Sequence, residues 1–320
     1  MSLIRLGILR GGPSDEYDLS LITGSTIREN ADKNLYQTVD IFVDKNGVWH
    51  IGGAPHQPSD AAKKVDVFFN AIHGQYGEDG KLQSILESLG LPFTGSSALA
   101  SALTHQKHLA KQRFTELGIK TPYHTVIHID SAKDIGATAL HIFHKFSLPL
   151  IIKPVSSGSS YGVMVVKSFI ELEVALERAF QYSSSILIEE YISGVEVTSG
   201  FIDSFRGQDV YPLIPVEISK ALGSVRDPRG KSNHHTPARI SEDYKKNIID
   251  AVVKLKDALG LKHSATFDFI VSPKRGVYLL EIDTVPTLSD ESVLVSSLQA
   301  SGVKTSDYIH HLVTLARYGN

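Results

Sequence analysis

The stretch Leu148-Pro-Leu-Ile-Ile-Lys153-Pro-Val-Ser-Ser-Gly158-Ser159-Ser160-Tyr-Gly162-Val-Met-Val-Val puts a lysine at the end of an apolar strand, then a loop of small residues, then a second apolar strand. Such a loop can grip a nucleotide. The lysine meets phosphate as a fixed positive charge, and Gly158, Ser159, Ser160 and Gly162 let backbone N–H groups approach phosphate oxygens with no bulky side chain between. The lysine precedes the glycines, the reverse of the Walker A order, so the loop is not a P-loop. A plain hairpin connection is the competing reading. Further on, Ser185-Ile-Leu-Ile-Glu189-Glu190-Tyr191-Ile192 ends an apolar strand on two carboxylates, with Glu196 just past the next turn. An ordinary sheet edge looks like this, and so does a strand that offers acceptors to an adenine amino group and a ribose hydroxyl.

The late segment Ala265–Asp283 carries three more acids. Two strands flank the turn Ser272-Pro-Lys-Arg-Gly276. A hairpin centred between Lys274 and Arg275 sets Asp268 opposite Glu281, and alternation puts Asp283 on the same face. Three carboxylates on one patch repel one another and want a cation, and their hard oxygens suit magnesium. A one-residue slip would scatter them, although the apolar residues at alternate positions make that slip costly. Earlier in the chain, His73 follows the apolar run Val65–Ile72, at a strand end where open α/β sheets bind ligands; a capping or core histidine is the alternative. Glu16 lies in the turn before a helix, where a carboxylate is either a ligand contact or simple dipole compensation.

These residues must be positioned by an alternating α/β chain. Leu3–Leu9 and Gln37–Val43 read as strands around a helix over 19–30, the opening of a parallel sheet. Helices are expected over 81–89, 98–117, 131–146, 170–181 and 241–259, with strands over 121–128, 196–202 and 210–218 between them. Lys107 falls inside the expected 98–117 helix, where position alone does not distinguish it from a solvated lysine. His141 and His144 are spaced i, i+3 without a third ligand and read as a solvated helix face. Residues 219–237 are polar and basic, containing Lys220, Arg226, Arg229, Lys231, His234 and His235; a loop this long in a compact chain reads as a functional lid.

Composition bounds the rest. At 320 residues and 42% hydrophobic, the chain can bury more than one core. With no cysteine it has no disulfide, thiolate metal site or cysteine nucleophile, which fits a reducing compartment. The net charge of −3, with both signs interspersed, leaves no footprint for nucleic acid. The first ten residues read as a strand and not as a signal peptide, and no run reaches membrane-spanning length. A cytoplasmic protein with no membrane partner is the expectation.

Taken together, Gly11-Gly-Pro-Ser-Asp-Glu16, His73-Gly with Tyr76-Gly-Glu-Asp-Gly80, Lys107, Lys153-Pro with Gly158-Ser159-Ser160, Glu189 with Glu196, Asp268, and Glu281 followed by Thr284, Pro286 and Ser292 resemble the D-alanine–D-alanine ligases of the ATP-grasp superfamily, over almost the whole chain. The resemblance implies an α/β (α+β) ATP-grasp fold with an N-terminal parallel α/β domain over 1–95 and two ATP-grasp subdomains over 96–193 and 194–320, the last holding the metal site and the 219–237 lid. It implies that Lys107, Lys153, Ser159, Ser160, Glu189, Glu190, Tyr191, Ile192 and Glu196 bind ATP. It implies that Asp268, Glu281 and Asp283 hold magnesium, as two ions, with manganese as an alternative. Glu16, His73 and Ser292 would contact the substrates, and Glu16 and Ser159 would also act in catalysis. The implied reaction joins two D-alanines through an acyl phosphate for peptidoglycan precursors, in a homodimer. A ligase with another second substrate, either a different D-amino acid or D-lactate, and a non-catalytic ATP-binding paralogue are the alternatives.

The sequence departs from the family pattern at three places. The arginine expected two residues before the metal aspartate is Thr266. The usual Glu-x-Asn-Thr-x-Pro-Gly reads Glu281-Ile-Asp283-Thr-Val-Pro286-Thr287, and the lid's Lys-Tyr falls on Arg226 and Asp227. Losing one oxyanion donor can cost roughly a hundredfold in rate. Arg226, with Arg229 and Lys231 beside it, is the candidate to supply the missing charge.

Overall fold

The computed structural model describes residues 2–155, 162–219 and 233–319. Three sheets make up the architecture. In the first, Ile4–Gly11 pairs in parallel with Tyr36–Val43 on one side and Val67–Asn70 on the other, and Trp49–Ile51 and Ala54–His56 extend the edge. Parallel strands are covered on both faces and so read as unbroken apolar runs. Here Leu6 and Ile8 face the C-terminal helix Thr305–Tyr318 through Ile309 and Leu312, while Leu9 packs with Trp49, Phe68 and Leu86. Because the central strands run the same way, the turn after Gly11 and the loop after Asn70 leave at one end, and that brings Glu16 and His73 together.

The second sheet is antiparallel, ordered His124–His128, Ser185–Glu190, Leu150–Pro154, Met164–Val166, with helices Ile135–Lys145 and Phe169–Tyr182 against one face. The third runs Asn233–His235, Val216–Ser219, Val195–Phe205, Ser264–Ser272, Gly276–Asp283, with Gln208–Pro212 also paired to Val195–Phe205. Its period of two divides the labour. Val197, Phe267, Phe269 and Leu279 bury against helix Glu242–Leu259 and against Phe114 of helix Lys107–Glu116. The intervening positions Glu196, Thr198, Asp268 and Glu281 point the other way.

The late hairpin reaches its expected pairing by an unexpected route. Ser272 pairs with Gly276, so the turn is centred on Lys274 and not between Lys274 and Arg275. That register alone would set Asp268 opposite Leu280. A bulge between Asp268 and Phe269 absorbs one residue of the partner strand, and beyond it Asp268 faces Glu281 and Thr266 faces Asp283.

Several expected boundaries also change. The helix expected over 98–117 is two, Ala98–His105 and Lys107–Glu116, broken at Gln106, whose ψ of 86° is not helical. Lys107 therefore opens a helix instead of lying within one. The strand expected over 210–218 divides into Gln208–Pro212 and Val216–Ser219, separated by a segment that includes Pro215. The helix expected from 131 starts at Ile135 after a short turn over Ile129–Ser131. Of the lid, residues 233–235 form a sheet strand and 220–232 lie outside the described residues. Helices Val293–Ala300 and Thr305–Tyr318 were not anticipated.

The loop carrying His73 is pinned by its own backbone. The Gly77 carbonyl accepts from Asn70 Nδ2 at 2.9 Å and Gln83 Nε2 at 2.6 Å, and a Cβ at Gly77 would lie 1.8 Å from the Ile72 carbonyl oxygen. Gly77→Ala is expected to destabilise the protein by about 2–4 kcal/mol. A thermal melt within about one degree of the unaltered protein would show instead that the loop yields freely.

Candidate active site

Lysines and acids alternate where the helix Lys107–Glu116 meets the second and third sheets. Strand Leu150–Pro154 delivers Lys153, whose Nζ is 2.9 Å from Glu189 Oε2 on the neighbouring strand. Glu189 is 1% exposed, and its Oε1 lies 2.9 Å from Lys111 Nζ. From the same helix, Lys107 donates to Glu281 Oε2 at 2.7 Å. Buried carboxylates and ammoniums persist when they are paired. Burial works to raise the Glu189 pKa, but Lys111 and Lys153 outweigh it and hold the carboxyl at about 2. Burial likewise opposes the Lys153 ammonium, and Glu189 with Glu281 more than offsets it, so Lys153 stays above the ordinary lysine range. Glu196, from the adjacent strand, adds to the same field. Across the hairpin, Asp268 accepts from the Thr198 hydroxyl and faces Glu281.

A second cluster forms where the first sheet meets the end of the late hairpin. Buried His73 has Nε2 2.8 Å from Thr23 Oγ1 and Nδ1 3.5 Å from Glu78 Oε1. His105 Nδ1 lies 3.9 Å from the other Glu78 oxygen. Against the penalty of burial, these two histidines hold Glu78 at about 2, and Glu78 in turn raises His73. Glu16 sits beside this group. Burial, then Glu78, pushes its carboxyl up to about 7, while His73 and Lys107 pull the other way. Asp283 is pushed well above the usual carboxylate range by burial and Glu78. Lys107 and Glu281 act on Glu16 as well, so the two clusters meet there.

With this geometry in view, the comparisons are specific. The family model described as "D-ala D-ala ligase C-terminus" matches residues 114–314, and that for the N-terminus matches 52–96. The D-alanine–D-alanine ligase of Geotalea uraniireducens (strain Rf4) is 33% identical over 313 residues, 98% of this chain and 95% of its own. That of Trichlorobacter lovleyi (strain ATCC BAA-1151 / DSM 17278 / SZ) is 34% identical over 91% of this chain and 87% of its own. This chain belongs to the D-alanine–D-alanine ligase family. Its fold is that of the ATP-grasp ligases. The D-Ala:D-Ser ligase VanG from Enterococcus faecalis superposes with a TM-score of 0.84 at 26% identity, covering 98% of this chain and 100% of the other. The ligase from Bacillus anthracis complexed with ATP gives 0.78 at 26%, covering 98% and 96%.

The ligase-family positions expected from sequence divide into three groups. Lys107, Lys153, Glu189, Asp268 and Glu281 converge at the first cluster, with Glu196 on the same sheet face; Glu16, His73 and Asp283 converge at the second. Others carry structural duties: the Glu190 carboxylate is forked by Arg275 at 2.7 and 3.1 Å, the Tyr191 N–H donates to the Pro149 carbonyl at 3.3 Å, and Ile192 is buried. Ser292 caps helix Val293–Ala300 by accepting from the Val295 N–H at 3.3 Å. Ser159, Ser160 and Arg226, with Arg229 and Lys231, lie outside the described residues. Asp268 and Glu281 are half-buried hard oxygen donors facing each other across paired strands, a donor set that suits magnesium, which takes one or two carboxylates and completes its sphere with phosphate and water. Among the described residues, no group of three or more His, Asp or Glu is arranged to hold a metal without such help.

Sequence reasoning assigned no role to Glu78, His105, Lys111 or Thr198. Glu78 had a signal in Tyr76-Gly-Glu-Asp-Gly80. The i, i+4 spacing puts Lys111 on the side of its helix that carries Lys107, but spacing alone does not tell it from a solvated lysine.

Glu16 yields a pH prediction. Its folded pKa of about 7 exceeds the ordinary value of 4.5, so its share of stability is full below about pH 4.5 and is lost as pH rises towards 7. Ligand-free Glu16→Gln is therefore expected to melt above the unaltered protein at about pH 8 and level with it at about pH 4. A melting difference that does not change with pH would contradict this.

Proposed function

We infer that this chain is an ATP-dependent ligase that joins two D-alanines. The observation that carries the reading is the meeting of the two clusters at Lys107 and Glu281: cations suited to phosphate on one side, and carboxylates suited to an ammonium on the other. Lys107 and Lys153 hold phosphate oxygens, the backbone and side chains over Glu189–Ile192 with Glu196 take the nucleoside, and Glu16, whose negative charge His73 and Lys107 favour, anchors the ammonium of the first D-alanine. Ser292 contacts the second carboxylate. The phosphoryl group passes to the carboxylate of the first D-alanine, ADP leaves, and the second D-alanine's amine attacks the acyl carbon, losing a proton and expelling phosphate. Asp268 and Glu281, with Asp283 nearby, hold magnesium or manganese, which when bound neutralises charge on the moving phosphoryl. Arg226 or a neighbour in the lid takes the place of the family arginine at Thr266.

In this reading residues 1–95 form the first-substrate unit, and 96–193 and 194–320 are the halves that close on the nucleotide. The protein works as a cytoplasmic homodimer without a nucleic-acid or membrane partner; among the described residues, no helix is long and apolar enough to cross a membrane.

Phosphate release from ATP and magnesium, measured with and without D-alanine, tests the reading directly. D-alanine-dependent release with D-alanyl-D-alanine identified by mass is expected. Release that responds only to another D-amino acid or to a D-hydroxy acid would reassign the substrate. Asp268→Asn is expected to raise the magnesium concentration for half-maximal rate on the order of tenfold, since one charged donor is lost; an unchanged requirement would place the metal elsewhere.

A further inference from the structure

Helix Lys107–Glu116 buries a second lysine four residues after Lys107 and on the same side. Lys111 is 0% exposed; its ammonium donates to Thr121 Oγ1 at 2.7 Å and meets Glu189 Oε1 at 2.9 Å. The other oxygen of Glu189 is 2.9 Å from Lys153 Nζ. Enclosed in this way, Lys111 does not reach a nucleotide itself. The geometry points to Lys111 as a positioning residue for phosphate binding: by occupying one oxygen of Glu189, it keeps Lys153 from being neutralised and leaves that ammonium a charge to offer.

The charge count shows why. With all three groups ionised, Lys111, Glu189 and Lys153 carry one net positive charge, whereas Glu189 and Lys153 alone carry none; burial lowers the Lys111 pKa, and the Glu189 carboxylate at 2.9 Å works to keep the ammonium charged. In a site shielded from water a pair of opposite charges closes on itself, and a phosphate must then compete with the carboxylate for the same ammonium. A third charge on the far side of the carboxylate weakens that competition. Thr121 fixes the distance at which it does so, because its hydroxyl anchors the lysine from outside the triad.

The assignment rests on the ATP-dependent ligase reading, and the test separates the two. Titration calorimetry of the full chain with magnesium and a non-hydrolysable ATP analogue is run beside titration with adenosine, which has no phosphate. Lys111→Met is expected to weaken the analogue on the order of tenfold while leaving adenosine unchanged. Lys111→Arg keeps the positive charge, leaves Glu189 unaltered and is expected to retain analogue binding to within about threefold of the unaltered protein. Equal losses for both ligands, or Lys111→Arg as weak as Lys111→Met, would reduce Lys111 to a packing residue and overturn the assignment. If Lys111→Met does not fold, Thr121→Val, which removes the anchor of the Lys111 ammonium, is measured instead: a weaker analogue with adenosine unchanged supports the charge argument, and unchanged analogue binding overturns it. Unaltered protein that binds neither ligand would overturn the ligase reading itself.

Discussion

The ladder of ion pairs Lys111–Glu189–Lys153, almost wholly buried, and Lys107–Glu281, half-buried at its carboxylate, is the constraint on which the site depends. It joins the second sheet, the helix Lys107–Glu116 and the third sheet across what would otherwise be a gap between two independent apolar cores. Burying any one of these charges alone would cost several kcal/mol, so none of the three elements can present its charged side chain without the other two. Such ladders add little net stability, since desolvation cancels most of the attraction. Their effect here is preorganisation: ammoniums already stripped of water and held at fixed positions need little rearrangement when phosphate arrives.

On the other side of Lys107 the balance is reversed. Glu16, Glu78 and Asp283 crowd one small volume, and only Glu78 is matched, between two histidines. The raised pKa of Glu16 measures how poorly the protein tolerates its charge without a cationic partner. That is the converse of the ladder: charge stored without compensation is a cost to the free protein and an attraction for an ammonium. Phosphate-directed and ammonium-directed charge thus sit side by side, divided by one Lys–Glu pair.

Most of this was legible because strands write their chemistry with a period of two. Lys153 at a strand end and Glu189 ending the next could be placed from alternation alone, and the parallel opening sheet followed from its unbroken apolar runs, whereas Asp268 meets Glu281 only because a bulge offsets a turn one residue out of the expected register. What could not be read depended on contacts distant in sequence. Nothing local to Lys111 tells it from a solvated helix lysine; its burial is decided by Glu189, 78 positions away, and Thr121. Gln106 gives no breaker signal, so one helix was expected where two form and the turn that aims Lys107 was missed. Ser292 shows the opposite limit: a serine before an apolar helix is a cap by local logic, and that is the contact the structure displays.

The bulge in the late hairpin shows how small the margin is. With the turn centred on Lys274, a regular ladder would carry the pairing of Phe269 with Leu279 forward to set Asp268 against Leu280 and turn Glu281 into the apolar core beside helix Glu242–Leu259. One extra residue on the partner strand restores the alternation, keeping Leu279 inside and Glu281 facing Lys107. The same shift sets Thr266 across from Asp283, at the point where the sequence departs from its family. Thr266 offers Asp283 no charge across the strands, and burial with Glu78, against the pull of His73, drives that acid towards its neutral form. The register that the bulge creates thus decides which side chain faces that acid.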